Sequence, residues 1–155
     1  MPKFHDLVAF QRAVDLTAQI YEITQAFPKQ EMYGLTAQMR RAAIGVPSNI
    51  AEGQGRLTYG EWRQFLSQAR GSLFEIEAQA TVAERLGFLT IEEHLRITVA
   101  IRKTGRALIG LIRWVKKQEA SKPRNSATSQ PATAAPPPTP SYHPARPPRT
   151  RRPAT

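Results

Sequence analysis

Apolar residues recur along the first 120 positions at intervals of three and four, the period of helices that bury one side. The first run is Leu7, Phe10, Val14, Thr17, Tyr21, Thr24 and Phe27, with Ile20 beside it. It predicts a helix from near Asp6, a reasonable N-cap, to Phe27. Pro28 ends it, because the residue before a proline avoids the helical region. After a short connection, Leu35, Met39, Ala42, Ala43, Val46 and Ile50 mark a second helix. Pro47 lies inside it, where it removes a backbone donor and crowds the carbonyl one turn back. Gly45 weakens the same stretch. A helix that keeps both is expected to kink and to be held by packing. Ser48 or Asn49 is expected to bond the carbonyl that Pro47 frees, and Gly53 and Gly55 to stop the helix.

Two capping boxes follow, Thr58 with Glu61 and Thr90 with Glu93. The first opens a helix to about Leu86, with Trp62, Phe65, Leu66, Ala69, Leu73, Ile76, Ala80 and Ala83 as its stripe. Gly87 is its expected stop, with Phe88 and Leu89 folding back. The second opens a helix to about Lys117. Ile97, Ile101, Leu108, Leu111 and Val115 form its seam, with a gap at Thr104. Ile109, Ile112 and Trp114 lie off that seam and point to a second buried surface, and so to an oligomer; the alternative is that isolated exposed apolar residues are common. With no competing strand pattern, the expectation is an all-α, antiparallel up-down-up-down four-helix bundle over residues 1–120. Residues 121–155 hold ten of the thirteen prolines and almost nothing apolar. They are expected to form a disordered tail, extended around Pro136 to Pro140 and basic at its end.

The blocks Leu-Thr-Ala-Gln-Met-Arg-Arg-Ala-Ala (35–43) and Val-Pro-Ser-Asn-Ile-Ala-Glu-Gly (46–53) resemble the signature of the four-helix-bundle proteins encoded in intervening sequences of bacterial 23S ribosomal RNA genes. The resemblance runs from about Phe4 to about Lys117. Gly-Ser-Leu-Phe-Glu-Ile-Glu (71–77) and the closing helix also fit. Phe10 stands where the family commonly has Trp, and Gly45 where it commonly has Ser, which removes any hydroxyl role there. The resemblance implies the same bundle, assembled as ring-shaped pentamers, and a link to ribosomal RNA or nucleic-acid-processing proteins. Related bundles serve as basic accessory rings of retroelement reverse transcriptases. Within the matching block, Pro47, Ser48, Asn49, Glu52 and Gly53 are expected to be structural.

Charge narrows the partners. Of the net +10, six charges lie beyond Ala120 without one acid, leaving +4 on the first 120 residues. A basic balance favours polyanions, although +4 also serves solubility. On the fourth helix Arg96, Lys103, Arg106, Arg113 and Lys117 fall within an arc of roughly 100°, opposite the seam. Arg102 and Lys116 border the arc, and Trp114 at its edge is placed to stack on a base. That is the pattern of a sequence-independent phosphate-binding face; the plain alternative is a solvated outer face. Arg40 and Arg41 are further candidates for nucleic-acid contact. They differ by about 100° on the helix and so do different jobs, one of them structural, paired with Glu52 or another acid.

Catalytic chemistry is missing from the pattern. There is no cysteine, and His5, His94 and His143 have no metal-ligand spacing. Ser48 is not in a nucleophile elbow, and Gly53-Gln-Gly55-Arg56 lacks the lysine of a phosphate loop. Glu75 and Glu77 point to different helix faces and form no acid pair. Glu52 is read as an ion-pair or capping residue between neighbouring helices or subunits. No cofactor is implied. The start lacks the apolar run of a signal peptide, and no stretch is long enough to span a membrane, so the expectation is a soluble cytoplasmic protein. The reading is a non-enzymatic, homo-oligomeric protein associated with RNA or DNA. The alternative is a protein-interaction scaffold or accessory subunit that touches no nucleic acid.

Overall fold

Both capping boxes form. Thr58 accepts from the Glu61 amide at 3.2 Å while the Glu61 carboxylate accepts from the Thr58 amide, and Thr90 and Glu93 repeat the exchange. They start the two longest helices of the structure, a computed structural model that describes residues 3–122. The helices are α1 (Val8–Thr24), α2 (Leu35–Gln54), α3 (Tyr59–Arg85) and α4 (Ile91–Ser121), with short 3-10 turns at Phe4–Asp6 and Lys29–Glu31. Each packs on the helices before and after it in the chain, and α1 closes on α4. Short connections make consecutive helices antiparallel, which is the expected up-down-up-down bundle. The expectations for residues 123–155 lie outside the described residues.

The core is phased as expected on α2, α3 and α4 and differently on α1. Met39, Ala42, Ala43, Val46 and Ile50 are buried, and they face Trp62, Leu66, Ala69, Leu73, Ile76, Ala80 and Ala83. On α1 the buried line is Ala9, Ala13, Leu16, Ile20 and Ile23, whereas Val14 and Tyr21 are exposed. The buried line gathers the aliphatic Leu16, Ile20 and Ile23 with two alanines, whereas the expected line holds Thr17 and Tyr21, whose polar ends belong nearer to water. Asp6 is not the α1 cap either. Its carboxylate accepts from the Lys3 amide at 3.2 Å, and α1 begins after Leu7. Glu31 caps α2 instead, accepting from the Leu35 amide at 3.0 Å.

Pro47 is accommodated from outside its own helix. The carbonyl it frees belongs to Ala43, and the Thr17 hydroxyl of α1 reaches it at 2.9 Å. The same hydroxyl is 2.8 Å from the Ala13 carbonyl, so one proton is shared. Asn49 donates to the Gly45 carbonyl at 2.7 Å, and Ser48 faces solvent. Thr104 is no gap in the α4 seam; it is buried, with its hydroxyl 2.9 Å from the Ala100 carbonyl. Gly53 does not stop α2. It is buried against α3, where a Cβ would stand 2.7 Å from Trp62 Cδ1 and 2.8 Å from Phe65 Cβ. Gly87 does end α3 as expected. Its φ of 74° lets Phe88 donate to the Ala83 carbonyl and Gly87 to that of Glu84, both at 2.9 Å.

Candidate nucleic-acid interface on the fourth helix

The outer face of α4 is set by the seam behind it. With Ile97, Ile101, Leu108 and Val115 buried, helical geometry turns Arg96, Lys103, Arg106, Arg113 and Lys117 outward, and all five are exposed, as are Arg102 and Lys116. None of the seven closes an ion pair with any described residue. The pairs present are Arg56 with Glu52, Arg63 with Glu119 at 3.3 Å, and His94 with Glu84. The stripe is not uniformly charged: Leu95 and Val99 are exposed on its first half.

Two grooves flank it on the α1 side. Arg12 joins Lys103 and Arg106 around a hollow of about 420 Å³ floored by Val8 and Ala107, with no acid among its lining residues. Farther along, Arg96 and Lys103 share a groove of about 480 Å³ with Asp15 and Glu22. Sequence reasoning missed Arg12, because its place beside the stripe depends on α1 packing against α4. The signal available was its position, one residue before the buried Ala13.

The structure separates the two adjacent arginines. Arg40 is half-buried; its Nε donates to the Thr24 hydroxyl at 2.9 Å, and its guanidinium lies 4.6 Å from the centre of the Tyr21 ring. It therefore ties α2 to α1. Arg41 is exposed and lies beside Met32 and Ile44 in a surface hollow that Arg40 and Tyr21 also line. Neither pairs with Glu52, whose partner is Arg56 four residues on, an exposed pair of small energetic weight. Trp114 is also not poised as a free stacking platform. It packs edge-on to Trp62 at 5.8 Å and Tyr59 at 6.4 Å, and is 40% exposed. Among the described residues no group of three or more His, Asp or Glu could hold a metal, and no helix is long and apolar enough to cross a membrane.

A four-helix bundle whose last helix carries an unpaired cationic outer face defines the class of this protein. The chain belongs to the 23S rRNA-intervening sequence protein family, whose sequence pattern matches residues 5–110. A solved structure with a similar fold is a protein of unknown function from the S23 ribosomal protein family of Bacteroides thetaiotaomicron. It is 18% identical with a TM-score of 0.62, over 68% of this chain and 99% of that one. At that identity the likeness is one of fold alone. No curated protein matches the sequence.

Proposed function

We propose that this protein is a non-enzymatic, homo-oligomeric factor of the cytoplasm that associates with RNA through phosphate contacts on the outer face of α4. The observation that carries the reading is that Arg96, Lys103, Arg106, Arg113 and Lys117 are exposed along one helix face without ion-pair partners among the described residues. Such cations bind a polyanion by releasing its counterions, with little reading of bases. Arg12 extends the face onto α1. Arg41 is the remaining candidate on α2, and Arg40 is assigned to the fold.

The test is a salt titration of binding to structured RNA, duplex DNA and single strands. Affinity is expected to fall linearly on a log–log scale, by roughly 0.7 to 0.9 per phosphate contacted. A flat salt response would exclude the mechanism. The second reading, a scaffold for partner proteins, is favoured by exposed apolar side chains such as Phe74 and Ile109. It predicts a tight oligomer that retards none of the three nucleic acids at physiological salt.

A further inference from the structure

Charge divides the outer face of α4 in two. From Val99 to Gln118 the helix holds Arg102, Lys103, Arg106, Arg113, Lys116 and Lys117 and no acid. From Ile91 to Thr98 it holds one arginine, Arg96, and two acids, Glu92 and Glu93. The neighbouring helix repeats the division. Asp15 and Glu22 of α1 line the groove that Arg96 lines, whereas Arg12 joins Lys103 and Arg106 around a hollow without an acid. Lys103 lines both and marks the boundary. On the acidic side Leu95 and Val99 are 60% and 51% exposed, and they offer a phosphate nothing.

Asp15, Glu22 and Glu92 are exposed, and none closes an ion pair with a described residue. A phosphate that approaches Arg96 therefore meets their repulsion as well, since screening takes hold only over about 8 Å at physiological ionic strength. Arg113 and Lys117 escape it. They lie roughly 25 and 32 Å from Arg96 along a helix that rises 1.5 Å per residue. We propose that Asp15 and Glu22 fence the phosphate track: they offset Arg96, so that RNA runs over Arg12, Lys103 and Arg106 toward Lys117 and stops short of the first two turns of α4. The proposal rests on the RNA reading above and gives it a path. Carboxylates beside a cationic face add no affinity for a polyanion; they exclude the wrong placement, as like charges do across an interface.

The experiment is a salt-titrated binding series on the full chain with a structured RNA hairpin, helicity being followed by circular dichroism. Arg106→Ala is expected to weaken binding several-fold and to lower the salt slope by about 0.7 to 0.9, the loss of one phosphate contact, while Arg96→Ala leaves both unchanged. Asp15→Asn with Glu22→Gln keeps the side-chain shapes and removes the fence. It is expected to tighten binding and to raise the slope by about the same amount, as Arg96 gains its phosphate. Adding Arg96→Ala to that pair is expected to abolish the gain, a coupling that a mere rise in net charge does not produce. Glu75→Gln with Glu77→Gln on α3 makes the same change in net charge elsewhere and is expected to leave the slope alone. Equal losses from Arg96→Ala and Arg106→Ala would overturn the proposal and leave RNA binding by α4 standing. So would a gain from Asp15→Asn with Glu22→Gln that persists without Arg96. A wild-type chain that binds no RNA even at low salt would overturn both readings.

Discussion

The Ala43 carbonyl, deprived of its helical donor by Pro47, is served by a threonine 26 residues earlier in the chain. Thr17→Val, which keeps the shape and removes the hydroxyl, is expected to cost about 1 kcal/mol in chemical denaturation, with Thr17→Ser retaining most of it. The proline made the missing bond legible in the sequence. Its remedy was not, because Ser48 and Asn49 are local and the partner is not. Gly53 teaches the same lesson: two glycines close together look like a helix stop, yet the first is a point of contact with Trp62 and Phe65. Gly53→Ala is expected to destabilise by roughly 1 to 3 kcal/mol through overpacking, the opposite of what helix propensity alone gives. Arg40 and Arg41 divide cleanly. Arg40→Ala is expected to lower the melting temperature through loss of the Thr24 and Tyr21 contacts, while Arg41→Ala leaves it unchanged.

At the scale of the element, the helices with explicit caps were read most accurately. Thr58 and Thr90 act through groups three residues away, so local sequence suffices. Thr58→Ala and Thr90→Ala are each expected to cost about 1 kcal/mol of stability in denaturant titrations. Gly110, exposed inside α4, has open space where a Cβ would stand. Gly110→Ala is expected to stabilise by roughly 0.5 to 1 kcal/mol, read as a higher melting temperature. The first helix was read one flank off. Its apolar residues cover enough of the circumference for two phases, and the buried one holds Leu16, Ile20 and Ile23 with Ala9 and Ala13, leaving Val14 and Tyr21 outside. Helix α4 also runs to Ser121, past the expected end near Lys117, and Glu119 in its last turn meets Arg63 of α3.

For the whole molecule, the question is how surfaces on different helices combine. The cationic stripe of α4 borders an arginine-rimmed apolar groove on one side and Arg12 on the other. Replacing Arg113 and Lys117 by alanine, away from both grooves, is expected to reduce the salt slope of RNA binding by about 1.4 to 1.8 without changing helicity. Removing residues 123–155 takes away five arginines and is expected to weaken binding further while the oligomer persists. Loss of the oligomer on that truncation would show that the bundle does not carry assembly alone.

The sequence by itself determined that there are four helices, where three of them bury their apolar sides, which residues cap α3 and α4, and that the cations of α4 share one face. Each of these follows from periodicity or from hydrogen bonds spanning three or four residues, which any reader of the chain can count. The tertiary structure alone decided the phase of α1, the Thr17 bond to Ala43, the contact role of Gly53, the anchoring of Arg40 and the place of Arg12 beside the stripe. Those depend on which helices lie side by side and how closely, and that distance is set by side-chain volume on both partners at once.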